Sequence, residues 1–113
     1  MPRPQRCRRI CREPEYVAFH AEGGHGGEAV CLSLDEFEVL RLVDYEKLTH
    51  EQCGERMDIS RTTVTEICEN ARRKLMESLL TGRPLRIAGG NVRVCEESRH
   101  NCACRKNCLR KQA

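Results

Sequence analysis

The chain has 113 residues, a formal net charge of +3 at neutral pH, 33% charged side chains and only 4% aromatic ones, with no tryptophan. That length makes one domain with tails. No apolar run approaches the roughly 20 residues of a membrane span, and the basic N-terminus lacks the apolar segment of a secretory signal, so the expected location is cytoplasmic and no membrane is involved. Nine cysteines in that compartment read as thiols or metal ligands, and their odd number argues against a closed disulfide framework.

In chain order, residues 1–12 form a basic arm with five arginines (Arg3, Arg6, Arg8, Arg9 and Arg12) and no acid. Residues 13–94 carry ten basic and fifteen acidic side chains, and residues 95–113 five basic and two acidic. The positive charge therefore sits at the two ends of an acidic middle. Tyr16 to His20 and Ala29 to Leu32 are β-prone runs on either side of the loop Gly23-Gly24-His25-Gly26-Gly27, which predicts a hairpin packed against helices. His25 reads as a solvated loop histidine rather than a metal ligand.

Ser33 with Glu36 forms a capping box, in which each side chain satisfies an orphan amide at a helix start. It predicts a helix through about Tyr45, with Leu34, Phe37, Leu40, Val43 and Leu42 apolar. Thr49 with Gln52 forms a second box and starts a helix from His50 to Met57. Asp58-Ile59 makes the break, and Ser60 is a good N-cap for the next helix. Val64, Ile67, Cys68, Ala71, Leu75 and Leu79 recur at spacings of three and four, an apolar stripe on one helical face. Leu48, Cys53, Met57 and Ile59 supply the opposing surface. The other face carries Arg61, Thr62, Thr65, Glu66, Glu69, Arg72 and Arg73.

Two short helices joined by a tight turn, with a polar outer face on the second, are what a helix-turn-helix needs to put one helix in the DNA major groove. An ordinary antiparallel helical hairpin shares that periodicity; agreement of caps, turn and stripe favours the helix-turn-helix. Gly82 and Pro84 end the long helix. Leu85-Arg86-Ile87 and Val92-Arg93-Val94 flank Gly89-Gly90, which predicts a second hairpin, joined to the first in one sheet or paired with another subunit. Cys31, Cys53 and Cys68 read as small core hydrophobes.

The tail, residues 95–113, holds Cys95, Cys102, Cys104 and Cys108, with His100 between them. Four thiolates suit zinc or an iron–sulfur cluster, although the one-residue gap of Cys102-Ala103-Cys104 matches neither standard spacing. Cys7 and Cys11 complete such a site only if the two ends meet. The plain alternative is a tail of free thiols. No glycine-rich phosphate loop, strand-turn-helix nucleophile or pair of acids in a cleft is present, so the chain reads as a non-enzyme.

The stretch from Ile59 to Ile67, with Ala71-Arg72-Arg73-Lys74-Leu75, resembles the recognition helix of sigma-factor region four. The whole chain resembles an uncharacterised prokaryotic family of predicted DNA-binding proteins, the "domain of unknown function 134" group. The matching pieces are Met1-Pro2-Arg3-Pro4 with Cys7-Arg8-Arg9 and Cys11, then Leu34 to Glu38 with Leu40-Arg41-Leu42, then Ala71 to Lys74, and Leu85-Arg86-Ile87 before Gly89-Gly90. The resemblance implies a sigma-like helix-turn-helix and a regulatory role, and brings no activity with it. Two positions depart from the pattern. Asp58 stands where the family turn has Gly, a substitution that a left-handed backbone tolerates. Cys53-Gly54 stands where small residues are usual, and Gly54 inside a helix costs about 1 kcal/mol relative to Ala, which predicts a soft first helix unless packing compensates.

The expected fold is therefore mainly α: a three-helix core with a helix-turn-helix, short β-hairpin elements and cysteine-rich basic tails. The expected function is sequence-specific binding of double-stranded DNA by a transcriptional regulator. Arg61, Thr62, Thr65 and Glu66 would read base edges, with Ser60 and Thr63 beside them at the helix start. Arg72, Arg73 and Lys74 would meet phosphates, as would Arg3, Arg6, Arg8 and Arg9 of the arm, unless the arm enters a minor groove or has no fixed partner. The small core and two-fold operators point to a homodimer. The alternatives are a module docking on RNA polymerase or another regulator, and a metal- or redox-sensing switch working through the tail.

Overall fold

A computed structural model describes residues 7–94. The order of elements is β1 (Arg8–Ile10), β2 (Ala18–Phe19), β3 (Val30–Leu32), α1 (Leu34–Leu40) continued by a π-helical turn (Arg41–Tyr45), α2 (His50–Met57), α3 (Arg61–Thr81), β4 (Leu85–Ile87) and β5 (Val92–Val94). Among the described residues no helix is long and apolar enough to cross a membrane.

Each helix starts where a cap directs it. Ser33 Oγ accepts the Glu36 amide while Glu36 Oε1 accepts the Ser33 amide at 2.9 Å. Thr49 and Gln52 exchange the same pair of bonds at 3.1 and 2.9 Å. Ser60 Oγ accepts the Thr63 amide at 3.1 Å. Gly82 ends α3 at φ 73°, its amide bonded to the Ser78 carbonyl. The helix expected through Tyr45 has that extent, but its last five residues wind as a π turn. The inward face differs from the expected one: Val39 and Leu42 are fully buried while Leu40 and Val43 are only half-buried.

The core has two connected parts. Ile10, Val39, Leu42, Cys53, Met57, Val64, Ile67 and Cys68 pack the three helices and β1 together. Val30, Leu32, Ala71, Leu85 and Ile87 seat the sheet against α3. The apolar stripe of α3 holds as far as half-buried Leu75; Leu79, expected to continue it, is exposed.

The expected hairpins are absent, and a different strand topology stands in their place. β4 lies between β2 and β3, antiparallel to the first and parallel to the second. β5 leaves that sheet and pairs in parallel with β1, with Ile10 opposite Val94. Gly89 and Gly90, at φ 81° and 100°, carry the chain past the start of α1 instead of reversing it. The Gly89 carbonyl accepts the Leu34 amide at 2.9 Å. A β-carbon on Gly90 would lie 2.7 Å from Asp35 Oδ1, so this crossing needs glycine. Cys31, expected in the core, is exposed, because the alternation of β3 turns Val30 and Leu32 inward and Cys31 outward.

Candidate nucleic-acid interface

The turn between α2 and α3 is three residues long. Asp58 takes the left-handed conformation at φ 62° and ψ 45°, with its amide bonded to the Gly54 carbonyl. The Ile59 amide reaches the same oxygen at 2.9 Å. This tight return brings the Ile59 carbonyl oxygen to 2.5 Å from where a β-carbon on Gly54 would sit. Packing thus supplies the reason for a glycine that helix propensity alone disfavours. Asp58 is also fastened to β5 by Arg93, at 3.3 Å.

α3 presents its first two turns outward. Arg61, Thr62, Glu66, Glu69, Asn70 and Arg73 are exposed, while Val64, Ile67, Cys68 and Ala71 on the opposite face are buried. Thr62, Glu66, Glu69 and Arg73 are spaced four, three and four residues apart, which aligns them along one helical face. The remaining expected contact residues have other engagements. Ser60 and Thr63 share a hydroxyl contact of 2.8 Å in the N-cap. Thr65 donates to the Arg61 carbonyl oxygen at 3.1 Å. Since its single proton is used there, His50 Nδ1, 2.8 Å away, is the donor to Thr65 Oγ1. This bond links the start of α2 to the first turn of α3.

Of the three cations of α3 assigned to phosphates, two sit in ion pairs. Asp44 holds the Arg72 guanidinium at two points, 2.6 and 3.2 Å. Their hydrogen bond lowers the Asp44 carboxyl below its ordinary value and raises Arg72. Lys74 Nζ bonds Glu36 Oε1 at 2.8 Å, so it ties the middle of α3 to the cap of α1. Arg73 is exposed.

The basic arm is anchored where it is described. Arg8 pairs with buried Asp35 at 2.7 Å. Arg9 donates to the Arg56 carbonyl oxygen at 2.8 Å and so satisfies an acceptor in the last turn of α2. Both arginines therefore hold β1 against the helices. Arg3 and Arg6 lie outside the described residues.

Sequence reasoning missed a buried polar cluster between α1 and the end of β1. Glu38 and Arg41, both within 7% of full burial, pair at 2.8 Å. Glu38 Oε2 also accepts the Cys11 amide at 3.0 Å, and Arg41 reaches Cys11 Sγ at 3.2 Å. Burial pulls the Arg41 pKa down, but the hydrogen bond and charge of Glu38 outweigh it and the net direction is up. The i,i+3 spacing of Glu38 and Arg41 was the available signal.

Among the described residues no group of histidine, cysteine or acidic side chains is placed to hold a metal ion. Cys95, Cys102, Cys104 and Cys108 lie outside those residues. Cys53 and Cys68 are buried as expected; burial pushes the Cys53 thiol up to about 12 and raises Cys68 as well.

A helix, a three-residue turn and a second helix with an open polar face define the class of structure; comparison with known proteins places it in a family. The model of the family described as "Protein of unknown function DUF134" matches residues 1–95, and the chain belongs to that family. A UPF0251 protein of Chlorobaculum tepidum is 45% identical over 101 residues, covering 88% of this chain and 51% of that protein. A UPF0251 protein of Desulfitobacterium hafniense is 40% identical over 104 residues, covering 90% and 83%. One from Caldicellulosiruptor saccharolyticus is 43% identical over 91 residues, covering 80% and 65%. The chain thus spans about half the length of the Chlorobaculum relative. No solved structure matches it significantly.

Proposed function

We propose that this protein binds double-stranded DNA in a sequence-specific manner and acts as a transcriptional regulator, using α2 and α3 as a helix-turn-helix like that of sigma-factor region four. The supporting observation is the outward face of α3, where Arg61, Thr62 and Glu66 stand exposed at its N-terminal end over a buried apolar stripe. Arginine can read guanine at two points, threonine can contact several bases, and glutamate can accept from cytosine. Arg73 follows two turns later and meets phosphate. Arg72 and Lys74 contribute less than their charge suggests, because Asp44 and Glu36 already hold them. The phosphate attraction missing from the acidic middle comes from the arm, chiefly Arg3 and Arg6, since Arg8 and Arg9 are spent on internal contacts.

Glu66 and Glu69 on the same face favour a second reading, in which the domain docks on a basic surface of RNA polymerase or another regulator. Selection of bound sequences from random duplexes separates the two. Enrichment of one motif supports DNA reading. Recovery of unselected sequence, with affinity set by duplex length alone, removes it.

A further inference from the structure

On the side of the molecule away from the start of α3 lies an apolar groove of about 530 Å³, walled by α1, the C-terminal half of α3 and the sheet. Phe37, Leu40, Leu75 and Ile87 form its floor, and Phe19, Tyr45 and Leu79 its rim. Beside Leu79, Met76 and Leu80 stand out as a ridge on α3. Tyr45, Leu79 and Leu80 are 75, 70 and 77% exposed.

We infer that this groove and ridge are a homodimer interface, in which α3 of one copy lays Met76, Leu79 and Leu80 into the groove of the other. Groove and ridge are adjacent on one chain, so a two-fold axis between them satisfies both copies at once. The area fits. Phe19, Tyr45, Met76, Leu79, Leu80 and neighbouring Tyr16 are 49 to 77% exposed. At roughly 150–250 Å² per large side chain they leave on the order of 700 Å² of apolar surface open. That exceeds the ~300–600 Å² patch of a typical monomer and approaches the ~800 Å² per partner of a standard interface. Two charged pairs at the margin, Asp44 with Arg72 and Glu77 with Arg83, neutralise each other within one copy.

Other occupants fit less well. A small ligand needs a few polar groups to orient it. Inside the groove the polar side chains are committed elsewhere, Arg41 to Glu38 and Ser78 to the Arg83 carbonyl oxygen, which leaves only the Tyr45 hydroxyl at the exposed rim. Residues 95–113 offer one large apolar side chain, Leu109, too little to fill it.

The dimer stands on the groove alone; its consequence for DNA rests on the reading above. Thr62 and Leu79 are 17 residues apart on α3, or about 25 Å of helix. Two such rods crossing near Leu79 hold their reading ends up to about 50 Å apart, enough to span half-sites separated by one helical turn, ~34 Å.

Sedimentation equilibrium of the 113-residue protein, without DNA and with a reductant present, tests the interface. The expected result is a dimer in the micromolar range. Leu79→Lys with Leu80→Lys is expected to raise its dissociation constant by roughly 100-fold without altering the far-ultraviolet circular dichroism, and Leu79→Ala with Leu80→Ala to weaken it less. A monomeric wild-type protein, or a lysine variant that dimerises as well as the wild type, overturns the inference. Arg61→Ala keeps the dimer; if DNA recognition is absent while the dimer persists, the DNA-binding reading alone is lost.

Discussion

Gly54 and Ile59 meet across the turn so closely that the Ile59 carbonyl oxygen occupies the space of a side chain, 2.5 Å from the position of a β-carbon. The obstacle is backbone, which cannot rotate away as the end of a flexible side chain could. Gly54→Ala is therefore expected to destabilise the protein, although alanine is the better helix former by about 1 kcal/mol. Forcing a methyl into a packed site costs typically about 1–3 kcal/mol, so the melting temperature is expected to fall by roughly 5–15 °C. A thermal melt followed by circular dichroism checks this, and a rise would show that the turn relaxes freely.

Glu38 and Arg41 form a buried pair whose removal should be asymmetric. Arg41→Met leaves the Glu38 carboxylate, 2% exposed, without its main counter-charge; breaking such a pair costs about 3–5 kcal/mol. Adding Glu38→Gln removes the stranded charge and keeps an oxygen for the Cys11 amide. The double variant is expected to be more stable than Arg41→Met alone in urea unfolding. Equal midpoints would mean that water reaches the pair. By contrast, Arg72→Ala should cost less than about 1 kcal/mol, because both partners are about half exposed.

Cys53 predicts how stability changes in alkali. Its thiol titrates at 9.0 when unperturbed and at about 12 in the folded protein, where burial disfavours the thiolate. Between those values the unfolded chain has lost the proton and the folded chain keeps it, so stability falls as pH rises, by up to about 1.4 kcal/mol per pH unit. Cys53→Ala removes this component. Its unfolding free energy, lower than the wild type at pH 8 through lost packing, should converge toward it as pH climbs past 9. Parallel pH profiles for the two proteins would refute the assignment.

Helix boundaries and caps were legible in the sequence because they depend on neighbours three and four residues apart. Ser33, Thr49 and Ser60 each start a helix where their spacing to Glu36, Gln52 and Thr63 directs. Strands β2 to β5 lie where the β-prone runs placed them, but their pairing was misread, for the opposite reason. Each is two or three residues long, too short to carry a period, and its partner is chosen by tertiary packing. Gly89-Gly90 looks like a hairpin turn from local chemistry, yet Asp35 and Leu34 hold it as a crossing between two sheets. The same limit applies to the candidate interface. The outward residues Arg61, Thr62 and Glu66 follow from helical period. That Thr65 is tied to His50, Arg72 to Asp44 and Lys74 to Glu36 depends on contacts 15, 28 and 38 residues apart in the chain.

Arg61 sits in the first helical turn, exposed, where a recognition helix places its base-reading side chains. Arg73 lies 12 residues, or about 18 Å, further along the helix, beyond the reach of the same bases. Arg61→Ala is expected to cost about 1–3 kcal/mol of binding to the selected duplex and to relax preference at one base position. Arg73→Ala should weaken binding to all duplexes alike and reduce the slope of log affinity against log salt by about 1. Fluorescence anisotropy with the selected and scrambled duplexes at several salt concentrations measures both. If Arg61→Ala lowered affinity for the two duplexes by the same factor, Arg61 would be a phosphate contact, and base reading would have to come from Thr62 and Glu66.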